Sequence, residues 1–405
     1  MINKCWEPTQ ESIQGSRLYK FKKKINQSYD LKLESFDDIH KWSIQNSSTF
    51  WDEASKFLDI KFSKRPEVIL SQSDEMINTR WFKCATLNYA ENLLSNQSDE
   101  VAIHEVNELG EQEAITWKQL YKKVAIWANY FIGLGIKKGD VIAGILPNNS
   151  TAIISMLAAT SLGAVWSSCS PDFGENAICD RLEQVQPKCV ISATNYIYKG
   201  KEISIHERLE NIKNRLINTK LWLNISDDKL NGWYGPTEIY STPFKEIVFV
   251  PCQFQDPLFI LFSSGTTGKP KCIVHGVGGT LLQHKKEHQL HCNLTKTDRL
   301  FYYTTCGWMM WNWMVSALAS GATLMLYDGS PFHPTATRLL DYVDNERITV
   351  FGTSAKYLDS LKKAKLKPKN THQLLSLKTI LSTGSPLSPE TFEYVYSDIK
   401  KDIQL

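Results

Sequence analysis

The sequence lacks most of the short patterns from which a function is usually first read. No C-x-x-C pair occurs among its nine cysteines, which are odd in number and scattered. That spacing argues against a disulfide framework and against a paired-cysteine zinc or redox site, and the expectation is a reduced, cytoplasmic (cytosolic) protein with buried thiols. There is no G-x-S-x-G elbow to place a serine nucleophile. There is no G-x-x-x-x-G-K-[ST] phosphate loop either. Excess charge of one sign is also missing: 46 Lys+Arg against 43 Asp+Glu leave +3 over 405 residues. Such a balance gives no long-range attraction for a polyanion, so no nucleic-acid partner is expected. The N-terminal stretch carries Lys20, Lys22, Lys23 and Lys24 but no apolar segment, which argues against a secretory signal.

Two uncharged runs, 141–171 and 300–327, are each longer than the roughly 20 residues that cross a bilayer. Pro147-Asn148-Asn149-Ser150 and Gly163 break the first, and Gly307, Asn312 and Gly321 break the second. Each run therefore reads as strand, turn, helix, turn and strand in a buried α/β layer, not as a membrane span. With 42% hydrophobic and 22% charged residues the chain has globular composition, and 17 Phe, 16 Tyr and 12 Trp can fill a large core. The length predicts two or three domains.

Residues 1–80 are polar and dotted with aromatics, and read as a helical N-terminal extension. Residues 81–255 read as a first α/β subdomain. Thr116 and Gln119 form a capping box ahead of Leu120, Val124, Trp127 and Phe131 at helical spacing. Strands are expected at 101–104, 141–146, from Val165 and at 188–192, with a helix over 151–162. The polar stretch from about 199 to 255 reads as a connection. Residues 256–405 read as a second α/β subdomain, with strands at 258–262, 300–303, 322–327, 348–351 and 379–381. Alternation of this kind predicts a parallel, doubly wound α/β fold in two stacked sheets.

In such a sheet ligands bind beyond the carboxyl ends of the strands. Four strand ends in the second segment carry Gly, Ser and Thr: 263–271, 304–308, 352–354 and 382–386. The first is the densest, Ser263-Ser264-Gly265-Thr266-Thr267-Gly268-Lys269-Pro270-Lys271. Its hydroxyls, glycine N–H groups and two lysines suit an oligophosphate.

That nine-residue run is very similar to the phosphate loop of the adenylate-forming enzymes, the superfamily of acyl-CoA synthetases, luciferases and peptide-synthetase adenylation domains. Trp81-Phe82 with Leu87-Asn88-Tyr89-Ala90-Glu91-Asn92-Leu93-Leu94 resembles the acetyl-CoA synthetase branch. The runs 166–174, Gly307-Trp308-Met309-Met310-Trp311-Asn312-Trp313 and Tyr327-Asp328-Gly329-Ser330-Pro331 resemble members of that branch acting on acetoacetate. The resemblance extends from about Trp6 to Leu405.

What the resemblance implies is an acid–thiol ligase using ATP, Mg²⁺ and CoA, with acetoacetate the expected acid and acetate or propionate the rival. It implies catalytic roles for Thr266, Thr267 and Lys269. It implies ATP contacts from Ser263, Ser264, Gly265, Thr266, Thr267, Gly268, Lys269 and Lys271, and from Gly384, Ser385 and Pro386. Ser385 stands where many relatives carry an acidic residue. Trp308 matches the border of the acyl pocket, and Met309 and Met310 behind it are bulkier than in the acetate enzyme. Trp311 and Trp313 read as core packing. Lys199 and Lys201 lie where the acetate enzyme has basic residues on the CoA nucleotide.

His284, His288 and His291 share a helical face beside Cys292, a zinc-like pattern whose expected reading is packing; no resident metal is expected. The resemblance also implies that an aromatic-Thr-Glu motif, a ribose-binding Asp, a hinge and a small C-terminal domain with an adenylation lysine follow the point where the sequence stops. The expectation is therefore an N-terminal portion that does not run the full reaction alone, with a non-catalytic nucleotide-binding fragment as the alternative.

Overall fold

The structure, a computed structural model, describes residues 5–263 and 268–405. Twelve strands build two large sheets. In chain order they are β1 (Val101–Asn107), β2 (Gln112–Thr116), β3 (Val141–Ile145), β4 (Val165–Cys169), β5 (Cys189–Ser192) and β6 (Leu221–Asn224). Then follow β7 (Pro257–Phe262), β8 (Cys272–Gly276), β9 (Arg299–Tyr302), β10 (Thr323–Asp328), β11 (Val350–Ser354) and β12 (Thr379–Thr383).

The first sheet has the order β6-β5-β3-β4-β7-β8 and the second β12-β11-β9-β10-β1-β2. In each, five strands run parallel and one edge strand, β8 or β2, runs antiparallel. Burial on both faces explains why the central strands read as continuous apolar runs: β4 is buried at every residue and β10 from Leu324 to Tyr327. Both uncharged runs resolve into strand, helix and strand; α-helix Ser150–Ser161 lies between β3 and β4, and helix Met309–Ser316 between β9 and β10. Among the described residues no helix is long and apolar enough to cross a membrane.

Sheet membership departs from the sequence expectation in three respects. Strands β1 and β2 belong to the second sheet although they precede the first, and β7 and β8 belong to the first although they follow residue 255. The sheets therefore do not divide at the expected boundary. The stretch 199–255 is not merely a connection, because it contributes helix His206–Arg215 and edge strand β6. That helix buries only Leu209 and Ile212 amid charged residues, too weak a stripe to stand out. The thiols are not uniformly buried: Cys169, Cys179, Cys189, Cys252 and Cys306 are, while Cys84 and Cys272 are exposed.

The capping box at Thr116 and Gln119 forms, starting helix Trp117–Gly133. The N-terminal segment is helical over Gln10–Gly15, Arg17–Tyr29, Phe36–Gln45 and Ser47–Phe57. Phe21, Ile25, Ile39 and Trp42 pin it into the main core.

Candidate active site

The phosphate-loop candidates Ser264, Gly265, Thr266 and Thr267 lie outside the described residues. The feet of the run are in place at the end of β7. Ser263 donates its backbone N–H to the Lys271 carbonyl at 3.0 Å, and Lys271 N–H reaches Ser263 Oγ at 3.2 Å. These two bonds close the run as a hairpin. Gly268 has φ +111°, a backbone region that favours glycine. Lys269 is exposed, with Nζ 3.5 Å from Asp180 and 3.7 Å from Glu183 on helix Glu175–Val185. Gln184 of that helix donates to the Pro270 carbonyl at 2.8 Å.

This hairpin belongs to the first sheet, whereas Trp308 and Gly384 follow strands of the second, so the candidate residues are divided between the two sheets. A chain of contacts links them. Arg181 lies over the rings of Phe262 at 5.7 Å and Phe173 at 4.9 Å. A Cβ at Gly307 would meet Phe173 at 3.4 Å. Ser168 at the end of β4 donates to the Cys306 carbonyl at 2.6 Å. Trp308 caps helix Met309–Ser316 and its ring lies 3.6 Å from the place of a Cβ on Gly384. The acyl-pocket candidate and the nucleotide-segment candidate are thus neighbours.

Trp308 and Met309 are exposed and Met310 is half-buried, while Trp311 and Trp313 are buried. Gly384, Ser385 and Pro386 are all exposed. The third cluster, 352–354, has structural duties: Tyr302 covers Gly352, and Ser354 Oγ caps the next helix by accepting from Tyr357 N–H at 3.2 Å. Lys199 and Lys201 are exposed on the hairpin formed by strands Asn195–Tyr198 and Lys201–Ser204.

A belt of buried carboxyls and an amide lies between the two sheets, and sequence reasoning missed it. Asn148, just after β3, donates its backbone N–H to Asp328 Oδ1 at 3.0 Å and accepts from Trp311 Nε1 at 3.0 Å. Part of Asp328 remains accessible, but its carboxyl sits deep, and burial pushes its pKa up to about 6. Burial raises Glu105 likewise, against the bond it accepts from Ser150 N–H. Glu108, at the end of β1, accepts from Lys199, Gly200 and Ser330 N–H. A cleft of about 360 Å³ opens beside this belt, lined among others by Glu105, Asn148, Tyr196 and Asp328. The one available signal was a lone acid at each strand end, Glu108 and Asp328, at the carboxyl edge where ligands gather.

The histidine pattern resolves into packing contacts. His284 Nδ1 pairs with Ser316 Oγ at 2.8 Å, and burial, then His275, lowers its pKa to about 3. His288 lies 4.2 Å from the Trp313 ring, edge to face. Among the described residues no group of three or more His, Cys, Asp or Glu is arranged to hold a metal ion.

Residues 91–404 match the family model described as AMP-binding enzyme. The chain belongs to the AMP-binding enzyme family. Residues 36–93 match the acetyl-coenzyme A synthetase N-terminus. Among individual proteins, the chain is 44% identical to the acetoacetyl-CoA synthetase of Macaca fascicularis, over 99% of this chain and 62% of that protein. It is 41% identical to the acetoacetyl-coenzyme A synthetase of Rhizobium meliloti, with the same coverage. Among solved structures, acetoacetyl-CoA synthetase from Streptomyces lividans superposes with a TM-score of 0.94 at 34% identity, covering 99% of this chain and 64% of that one. The chain thus spans about 62% of the length of the curated relatives it matches.

Proposed function

We propose that this chain supplies the large-domain part of an acid–thiol ligase that joins acetoacetate to CoA at the expense of ATP. A carboxylate oxygen attacks the α-phosphorus, the bond to the leaving pyrophosphate breaks, and an acyl-adenylate forms. The CoA thiol then loses its proton, its sulfur attacks the acyl carbon, and AMP leaves. Charge crowds at phosphorus in the first step, so donors and cations must be placed before reaction.

The observation that carries the reading is the packing of Trp308 against Gly384, which supports taking Trp308 as a wall of the acyl pocket and Gly384 as part of a nucleotide-binding segment beside it. Relatives at 41–44% identity that bear the acetoacetate name support the choice of acid. In this reading Ser263 to Lys271 wrap the phosphates, with Thr266, Thr267 and Lys269 nearest the reacting group. Gly384, Ser385 and Pro386 line the nucleotide. Met309 and Met310 shape the acyl pocket with Trp308. Lys199 and Lys201 meet the CoA nucleotide.

Magnesium neutralises phosphate charge when bound with ATP; among the described residues no group of three or more His, Cys, Asp or Glu is arranged to hold it. The scattered thiols and the absence, among the described residues, of a helix fit to span a membrane support a cytosolic setting.

The test is ATP–pyrophosphate exchange by the purified chain with Mg²⁺ and acetoacetate, acetate or butyrate. The chain is expected to bind ATP, and any exchange it carries out is expected to be selective for acetoacetate. Exchange selective for acetate or butyrate refutes the substrate, and a folded chain that binds no ATP refutes the reading.

A further inference from the structure

Glu108 is a carboxylate with its side chain fully buried. Burial of such a group is costly unless every oxygen finds donors. Here Oε2 accepts from Lys199 N–H at 3.0 Å and Ser330 N–H at 2.9 Å, and Oε1 accepts from Gly200 N–H at 2.8 Å. The three donors come from two loops of different sheets: the Tyr198–Lys201 hairpin tip beyond β5, and the turn after β10.

The surroundings are shaped for this contact. A Cβ on Gly329, at φ +142°, would lie 2.6 Å from Glu108 Cβ and 2.7 Å from Oε2. A Cβ on Gly200 would lie 3.0 Å from His333 Nε2. The hairpin tip is a two-residue turn with Lys199 at φ 53° and Gly200 at φ +70°. A lysine adopts that conformation against a steric cost, which its neighbours must offset. The held tip points cationic and aromatic groups outward together, with Lys199 Nζ 5.6 Å from the centre of the Tyr198 ring and both residues exposed.

We propose that Glu108 is a positioning residue for the thiol substrate: it fixes the Lys199–Gly200 turn so that Lys199 is presented, already ordered, to the phosphate groups of CoA. The inference rests on the proposed CoA ligation. Glu108 touches no substrate and acts through the turn. A lysine ordered before binding loses less freedom on meeting a phosphate, so the effect falls on CoA affinity and not on ATP.

The experiment is calorimetric titration of CoA, and separately of ATP with Mg²⁺, into wild type, K199A, E108Q and the double variant. In E108Q an NH₂ replaces one oxygen and faces at least one N–H donor, so the turn is released. We expect K199A and E108Q each to weaken CoA binding roughly ten-fold with ATP binding unchanged. The double variant should lose no more than about two-fold beyond either single one, the non-additivity of residues acting as a unit. A merely structural role predicts instead that the losses multiply or that ATP binding falls too, and either result overturns the proposal. So does E108Q binding CoA like wild type. If E108Q does not fold, G200A decides, because it crowds the turn against His333 from an exposed position; unchanged CoA affinity there also overturns it. A folded wild type that binds ATP but no CoA removes the thiol part of the proposed function itself, a result distinct from all of these.

Discussion

The two six-stranded sheets share one packing device and use it with different severity. In the second sheet Tyr302 on β9 stands directly opposite Gly352 on β11, and a Cβ there would come within 2.0 Å of the ring. In the first, Trp166 on β4 is paired with Ile142 and only leans over Gly144, two residues along β3, where a Cβ would meet the ring at 2.8 Å. Direct cross-strand neighbours are closer than diagonal ones, and the two clearances follow from that register. The comparison teaches that glycine in these strands is a seat for a neighbouring aromatic ring, and that the second sheet tolerates less change at its seat.

The largest effect is expected from Gly352→Ala. Displacing Tyr302 from a buried central position should cost about 3 kcal/mol or more, read as a lowered midpoint in urea unfolding. A cost under about 1 kcal/mol would show that the ring yields easily and remove the contrast. Next comes the joint between the sheets. Asn148→Ala leaves the buried Trp311 indole N–H without its acceptor, at about 2–3 kcal/mol by the same measurement.

Gly144→Ala should cost less, about 1–2 kcal/mol, because the far edge of the Trp166 ring has only to shift slightly. The last effect is opposite in sign and belongs to Asp328. Its folded pKa of about 6 lies above the ordinary carboxylate value. The protonated form is therefore favoured in the fold, and stability is lost as pH rises through the interval from about 4 to 6. Asp328→Asn keeps an acceptor for Asn148 N–H. It should flatten that pH dependence and gain up to about 3 kcal/mol at pH 7. Urea midpoints at pH 4.5 and 7 check it, and an unchanged slope between them would refute it.

Apolar strands and capped helices were legible because their signals are local. The runs Val141–Ile145 and Thr323–Asp328 announce buried strands, and Thr116 with Gln119 announces a helix start. Sheet membership was not legible, since nothing within Val101–Asn107 says that its partner is β10, more than two hundred residues later. Edge strand β6 was hidden because four residues, Leu221 to Asn224, give too short a pattern within a polar stretch. The Gly/Ser/Thr strand ends drew attention to the carboxyl edge, where Trp308 and Gly384 meet. Glu108 escaped notice because its three bonds go to backbone N–H groups 91, 92 and 222 residues away. Backbone donors carry no residue identity, so no motif points to them.

The pairing of β1 with β10 has a consequence for how the protein is made. Ile103 to Asn107 align with Leu324 to Asp328. A chain emerging from the ribosome at about 5–20 residues per second exposes β1 some 10–40 seconds before its partner exists. The first sheet, whose strands lie between residues 141 and 276, is complete in that interval. Until residue 323 is made, β1 has only β2 to pair with, and its other edge stays without its partner strand.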